Sequence, residues 1–125
     1  MITIVLPVPP STNNLFATVG RKRIKSQRYR DWEIEADDWF RQQPCEKLAG
    51  AYTVEIALPE MMRGDIDNRI KPLIDFLTPP RKVGGSGKGV IPDDKHLWRV
   101  SVERNPNVPP GECHVRARSV EEEAA

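Results

Sequence analysis

The sequence predicts a single small α+β domain with a mixed β-sheet and with helices packed on one face. The chain has 125 residues, which is enough for one hydrophobic core but not for two. Its hydrophobic periodicity changes between that of strands and that of helices in the order β, β, β, α, β, α, β, β. Strands and helices that follow one another in this mixed way are typical of α+β proteins.

Six segments are predicted strands, most of them because apolar and polar residues alternate. They span residues 2–6, 15–19, 23–25, 52–58, 97–103 and 112–118. The alternation is cleanest in the fourth segment, where one face carries Tyr52, Val54, Ile56 and Leu58. In the fifth segment the same pattern predicts that the buried side chains are Trp98, Val100 and Val102.

Two segments have the spacing of helices. Ser26 is a suitable N-cap for a helix that runs to about Gln43, where Pro44 ends it. One face of this helix is apolar, and we interpret it as core rather than as a base-stacking surface: Tyr29, Trp32, Ala36, Trp39 and Phe40. The second helix begins near Arg69 or kinks there, because Pro72 would remove a backbone bond beyond the first turn.

The composition predicts a soluble, cytoplasmic protein. The chain is 38% hydrophobic and 30% charged, and it has no apolar run long enough to cross a membrane. The N-terminus has no basic leader of the signal-peptide type. Cys45 and Cys113 are too few for a disulfide framework and are expected to be free thiols. The acidic tail, residues 120–125, is predicted to be disordered.

The net charge of +1 hides a segregation of charges along the chain. Residues 21–30 carry six Lys or Arg side chains, and residues 31–38 carry five acidic ones. A basic block of this kind can neutralise DNA phosphates, in which case binding weakens as salt rises. The alternative is a solvated charged face that pairs in part with the neighbouring acids.

The segment RGDIDNRIKPLIDFL, residues 63–77, places acidic side chains where a helix begins. Asp65 and Asp67 would share one side if the backbone is extended, and a further pair of acids stands in the segment PDDKH at residues 92–96. Carboxylates from two neighbouring element ends suit Mg²⁺ or Mn²⁺, and Lys71 could stabilise phosphoryl charge beside them. The alternative is that Asp67 caps the helix and pairs with Lys71, while Asp93 and Asp94 form a turn.

Two other motif interpretations fail on spacing. An EF-hand loop that starts at Asp65 would need glycine and glutamate where the chain has Ile70 and Phe76. The stretch GGSGKG lacks the Ser or Thr that follows the lysine in a Walker A loop, because Gly89 stands there. The acidic segment is therefore not explained by either motif.

Three motifs in order resemble the RusA family of Holliday-junction resolvases: LPVPPSTNN, DIDNRIKPLIDFL and VIPDDKHL. The resemblance covers most of residues 2–104. It implies a RusA-like endonuclease domain over residues 1–119 that is homodimeric and cuts four-way junctions with Mg²⁺ or Mn²⁺. Such enzymes are frequent in phages and prophages, so the resemblance implies a bacterial or phage-infected host cell, with branched DNA and a second copy as partners and no membrane.

The resemblance also implies roles for individual residues. By position, the metal ligands are Asp65, Asp67 and Asp94, and the catalytic lysine is Lys71. Asp75 and Asp93 are possible supporting residues. The matching Asn-rich turn belongs to the predicted DNA-binding set, and the basic stretches 21–30 and 81–88 add cations that can hold phosphates: Asn13, Asn14, Arg21, Lys22, Arg23, Lys25, Arg81, Lys82 and Lys88.

We therefore predict a structure-selective, divalent-metal-dependent DNA endonuclease that resolves four-way junctions by paired, symmetric phosphodiester hydrolysis. Two alternatives remain open. One is a branched-DNA-binding protein without catalysis, in which the acids are caps and turns. The other is a different D-x-D metal enzyme, such as a nucleotide-sugar transferase, for which the chain is short.

Overall fold

The computed structural model describes residues 1–81 and 87–124 and confirms an α+β domain with a mixed sheet. The elements are β1 (Ile2–Pro7), β2 (Phe16–Val19), β3 (Lys22–Lys25), α1 (Gln27–Arg41), β4 (Tyr52–Pro59), α2 (Ile70–Leu77), β5 (Leu97–Asn105), β6 (Glu112–Ser119) and α3 (Val120–Ala124). The main sheet has the strand order β1-β6-β4-β5, while β2 and β3 form a separate hairpin. Strand β6 is antiparallel to both of its neighbours, and β5 is parallel to β4.

The core lies between one face of the main sheet and helices α1 and α2. Every second residue of three strands is buried, as the alternation predicts: Ile2, Ile4, Leu6, Tyr52, Val54, Ile56, Leu58, Cys113, Val115 and Ala117. The opposite face is polar and carries Thr3, Glu55 and Arg116. A sheet with antiparallel strands can leave one face in water, so helices are needed on one side only.

Helix α1 begins and packs as predicted. The Ser26 hydroxyl accepts a hydrogen bond from the Tyr29 backbone N–H at 3.1 Å, which is the N-cap interaction. Trp32 is buried, and its indole N–H donates to the Pro7 carbonyl at 2.9 Å. Four residues of the apolar stripe, Tyr29, Trp32, Ala36 and Phe40, therefore belong to the core or pack against it, whereas Trp39 is half-buried outside this cluster. The hydrogen bond of Trp32 also ties α1 to the end of β1.

Helix α2 follows directly from a 3-10 turn at Ile66–Arg69. Pro72 lies in the first turn of α2, where the backbone N–H groups have no partner within the helix, so the proline removes no bond. The buried ring of Phe76 packs edge-on against two aromatic rings of α1, at centroid distances of 5.4 Å from Trp32 and 6.0 Å from Phe40. These contacts hold both helices on the same face of the sheet.

The chain returns after α2 through residues 87–91, which we call the return segment. Its backbone N–H groups donate to the last carbonyls of α2: Lys88 to Phe76 at 2.8 Å, and Val90 and Ile91 to Leu77 at 3.0 and 3.2 Å. The last carbonyls of a helix lack partners within it, so the return segment caps α2. It also leads directly into the acidic turn that contains Asp94.

Gly87 allows the return segment to approach α2 closely. A methyl group there would overlap the Thr78 carbonyl oxygen and lie 2.7 Å from the Pro80 nitrogen. Because both atoms belong to the backbone, we expect Gly87→Ala to lower the free energy of unfolding by about 1–3 kcal/mol. Urea denaturation measures this change.

Gly20→Ala is the control for that substitution. Gly20 has a φ of 63° and open space around its Cα, so alanine there meets only backbone strain of about 1 kcal/mol. A loss at Gly87 no larger than the loss at Gly20 would contradict the close approach.

The side chain of Trp98 is 70% exposed, which corrects the prediction that it is buried. Tyr52 pairs with Leu97 and Thr53 pairs with Arg99, so Trp98 is the extra residue of a β-bulge. The bulge reverses the alternation at this point. Leu97 and Val100 consequently both pack against the core, and Trp98 points away from it.

The C-terminal tail also differs from the prediction, because residues 120–124 form α3 instead of a disordered segment. The Val120 N–H donates to the Ala51 carbonyl at 2.9 Å, and the Ser119 hydroxyl accepts from the Glu122 N–H at 3.1 Å. The amino group of Met1 lies 3.0 Å from the Glu122 carboxylate. Contacts with residues distant in the sequence thus hold a segment whose composition predicted disorder.

Cys45 and Cys113 are free thiols, as predicted. Burial raises the pKa of Cys113 to about 12, so this thiol stays protonated near neutral pH. Within residues 1–81 and 87–124, no helix combines the length and the apolar character that a membrane span requires.

Candidate metal and DNA site

Asp65 and Asp67 lie at the start of the 3-10 turn before α2. Asp65 is extended, but the chain turns from Ile66 onward, so the strand alternation that would place both acids on one side does not apply. Both side chains are exposed, and neither takes part in an ion pair within the described part of the chain. Neither the 3-10 turn nor α2 begins with a side-chain capping hydrogen bond. Asp67 therefore does not cap the helix, as the alternative interpretation required.

Two arginines that the sequence interpretation missed hold the loop that leads into this turn. The Arg104 guanidinium, at the end of β5, donates to the carbonyls of Glu60, Met62 and Gly64 at 3.1, 2.5 and 2.8 Å. Arg69 donates to Pro9 at 2.5 Å and to Arg63 at 3.0 Å. Arg69 stands inside the DIDNRIK motif and could have been suspected. For Arg104 the sequence has no such signal, because its partners lie about forty residues away.

The acids and bases that follow form an ion-pair network, which we define as Lys71, Asp75, Arg81 and Asp94. The Lys71 ammonium lies 3.2 Å from the Asp75 carboxylate, one helical turn further along α2. The Arg81 guanidinium lies 3.1 Å from Oδ2 of Asp94 and 3.9 Å from Oδ1 of Asp75. Lys71 thus pairs with Asp75, rather than with Asp67 as the alternative interpretation required.

The turn that carries Asp94 is held from both sides. The Asp93 carboxylate accepts a hydrogen bond from the Lys95 N–H at 3.1 Å, and this bond lowers the pKa of Asp93. The Tyr52 hydroxyl of the central strand donates to the Pro92 carbonyl at 2.8 Å. Burial raises the pKa of Tyr52 to about 12, with a further contribution from the neighbouring carboxylates, so the phenol remains a donor.

The described residues do not bring three acids together as a ready-made metal site. Among them, no group of three or more His, Cys, Asp or Glu side chains lies close enough to hold an ion. The residue types nevertheless fit, because exposed carboxylates are the oxygen ligands that Mg²⁺ takes beside water and phosphate. Asp65 and Asp67 form no ion pair with any residue in 1–81 or 87–124, whereas Asp94 pairs with a guanidinium.

The predicted DNA-binding residues of the β2–β3 hairpin fall into two groups. Arg21 and Lys22 are exposed at the turn and have no ion pair with any described residue. Arg23 lies over the Phe16 ring at 4.2 Å. The ammonium of Lys25 lies 2.9 Å from Glu33 and is half-buried. The hairpin turn therefore offers two cations that have no ion-pair partner among the described residues, whereas Arg23 stacks on Phe16 and Lys25 is held by Glu33.

The Asn-rich turn lies beside the acidic segment. The Thr12 hydroxyl donates to the Asn68 carbonyl at 2.8 Å, which joins the first family motif to the second. Asn13 is exposed, and the side chain of Asn14 donates to the Ser11 hydroxyl at 3.4 Å. The tertiary fold thus places an amide-bearing turn against the proposed metal-binding turn.

Lys88 differs from the other basic candidates. Its ammonium pairs with Asp37 of α1 and lies 5.9 and 5.5 Å from the centroids of Phe40 and Phe76. The side chain is only 24% exposed. These contacts attach the return segment to α1 and leave Lys88 poorly placed for a phosphate. Lys82, also predicted to bind DNA, lies outside the described residues.

Comparison with protein families finds a match to the family model described as Endodeoxyribonuclease RusA, over residues 7–116. The chain belongs to the RusA family. Membership makes it an endodeoxyribonuclease and implies a nuclease that acts on Holliday junctions, as the three motifs indicated. RusA-family nucleases generally depend on a divalent metal. No significant match was found among curated proteins. The match includes the acidic segment, the whole ion-pair network and the β2–β3 hairpin.

Proposed function

We propose that this RusA-family chain resolves four-way DNA junctions by divalent-metal-dependent hydrolysis of two symmetric phosphodiester bonds. One observation carries the proposal. Asp65 and Asp67 lie at the 3-10 turn that leads into α2, Lys71 lies in the first turn of α2, and all three are inside the matched region; both carboxylates are exposed and form no ion pair with a described residue. An ionised carboxylate without a protein cation is available to a metal ion.

Asp65, Asp67 and Asp94 are the proposed metal ligands. A bound Mg²⁺ or Mn²⁺ would polarise the scissile phosphate and lower the pKa of the attacking water. Arg104 and Arg69 fix the conformation of the loop before Asp65 through five hydrogen bonds to backbone carbonyls. Because Arg104 belongs to β5 and Arg69 also bonds to Pro9, the position of Asp65 depends on the sheet and on the N-terminal loop.

Lys71 is the proposed catalytic lysine, and Asp75 orients it. The 3.2 Å ion pair with Asp75 holds the Lys71 ammonium beside the first turns of α2, and α2 directly follows the acidic turn. An ammonium there can donate to a phosphoryl oxygen as negative charge develops in the transition state. Asp75 supports the reaction without being a ligand itself, because its carboxylate is shared between Lys71 and Arg81.

The hairpin turn is the proposed contact to a junction arm. Arg21→Gln and Lys22→Gln should each weaken junction binding and reduce the slope of log K against log salt by about one unit, because each removes one phosphate contact. Fluorescence anisotropy at four salt concentrations measures the slope. Lys47→Gln is the matched control, because Lys47 is exposed and lies outside all three family motifs and outside the hairpin. An equal change in all three variants would point to net charge rather than to the hairpin.

A homodimer is the proposed active form. A four-way junction presents two strands of equal polarity that are related by a twofold axis, and a C2 dimer has two identical sites related in the same way. Two cuts in one encounter would leave nicked duplexes that a ligase can seal. Light scattering of the free protein and of the junction complex tests the stoichiometry of two chains to one junction.

The experiment that tests the proposed function is cleavage of a labelled four-way junction and of a linear duplex of the same sequence, with and without Mg²⁺. We expect paired cuts at symmetric positions on the junction, only with metal. Binding to the junction without cleavage in Mg²⁺ or Mn²⁺ would favour the non-catalytic DNA-binding protein. Equal cleavage of both substrates would contradict selectivity for the junction.

A further inference from the structure

We propose that Arg81 competes with the divalent metal ion for the carboxylate of Asp94. Asp94 would then bind metal only after the guanidinium has moved aside, which makes Arg81 a positioning residue that sets the metal affinity. The inference rests on the proposed function, because it takes Asp94 as a metal ligand.

The geometry of the ion-pair network supports this competition. A nitrogen of the Arg81 guanidinium donates to Oδ2 of Asp94 at 3.1 Å, so one of the two oxygens available to a metal is already engaged by a cation. The same guanidinium lies 3.9 Å from Asp75, whose other oxygen is 3.2 Å from Lys71. Arg81 therefore holds Asp94 in the network with Asp75, whereas Asp65 and Asp67 lie outside it.

Exposure makes this pair exchangeable. The side chains of Arg81 and Asp94 are 64% and 47% exposed, and exposed ion pairs of this kind contribute little to stability. An ion with twice the charge and a preference for carboxylate oxygen can displace a guanidinium held this weakly. Asp93 and Tyr52 meanwhile keep the turn itself in place, so only the Arg81 side chain has to move.

The released guanidinium has an obvious next partner. Planar guanidinium groups bind phosphate through two parallel hydrogen bonds, so Arg81 can move from Asp94 to a phosphate of the DNA. The Arg81 side chain then has two positions: one on Asp94, which the structure shows, and one on a DNA phosphate, which the predicted role in DNA binding requires. Binding of the metal ion favours the second position.

The test is binding of Mn²⁺ to the DNA-free protein, measured by electron paramagnetic resonance of the unbound ion. The variants are Arg81→Gln, which removes the competing cation, and Arg81→Lys, which keeps its charge but loses its planar shape. Lys95→Gln is the matched control. It removes one positive charge from the residue next to Asp94, and the side chain of Lys95 forms no ion pair with a described residue. Its backbone N–H, which donates to the Asp93 carboxylate, is unchanged.

We expect Arg81→Gln to bind Mn²⁺ about threefold to fivefold more tightly than the wild type, as loss of a competing exposed ion pair predicts. Arg81→Lys should lie between the two, and Lys95→Gln should stay closer to the wild type than Arg81→Gln does. Equal tightening in Arg81→Gln and Lys95→Gln would overturn the inference, because net charge alone would then explain it.

The result also separates this inference from the proposed function. If the wild type binds Mn²⁺ and cleaves junctions in its presence, while Arg81→Gln has unchanged affinity, the competition is wrong and the resolvase proposal stands. If neither the wild type nor any variant binds Mn²⁺, and the wild type cleaves equally well with and without it, both the metal-dependent function and this inference are wrong.

Discussion

Asp67→Asn is expected to abolish cleavage of a four-way junction while leaving junction binding intact. The substitution keeps the shape of the side chain and removes the negative charge that a divalent ion requires. Loss of an outer partner of a ligand typically costs 10- to 100-fold, so loss of a direct ligand should lower the cleavage rate by more than about 100-fold. Binding should persist, because the cations of the hairpin turn are untouched and one charge that repels phosphate is gone.

The measurement compares single-turnover cleavage with anisotropy binding at the same salt concentration. Asp38→Asn is the matched control, since Asp38 is an exposed acid on α1 and belongs to none of the three family motifs. Cleavage at the wild-type rate by Asp67→Asn would remove this residue from the site. A parallel loss of binding and cleavage would assign it to the fold of the acidic turn instead.

Phe76→Ala is expected to have the largest effect on stability, a loss of about 3–5 kcal/mol in the free energy of unfolding. The ring is buried between Trp32 and Phe40, and it also contacts the Lys88 ammonium of the return segment. Alanine leaves a cavity that the two helices cannot close without moving. Because small domains are stable by only about 5–15 kcal/mol, the variant should be close to unfolding at 37 °C.

Urea denaturation followed by tryptophan fluorescence measures this loss. Phe40→Ala removes a ring of the same size from the same cluster, but Phe40 is half-buried and its loss should cost clearly less. Phe76→Leu keeps much of the volume and should cost under about 1.5 kcal/mol. Equal losses in Phe76→Ala and Phe40→Ala would contradict the central position of Phe76 between the helices.

The order and type of the elements could be predicted because they depend on local periodicity. Strand β4 alternates without interruption, and burial of Tyr52, Val54, Ile56 and Leu58 follows. Helix α1 carries its own start signal in Ser26. The place of Pro72 similarly limits where α2 can begin. Each of these features is encoded within a few residues.

Trp98 and the C-terminal tail were mispredicted for the opposite reason. The bulge beside Trp98 arises from the pairing of β5 with β4, which are about forty residues apart in sequence. Helix α3 is held by Ala51 and by the N-terminal amino group. A local pattern of apolar and polar residues gives no information about partners that are distant in the sequence.

The sequence by itself determined the fold class, the family and the residues at which to look for a site, because motifs and periodicity are local properties. Only the tertiary structure decided which charges are free. It pairs Lys71 with Asp75, turns Lys88 towards Asp37 and joins Arg81 to Asp94 across thirteen positions, while Arg21 and Lys22 stay exposed. The physical reason is that an ionic interaction depends on distance in space, and the fold sets that distance.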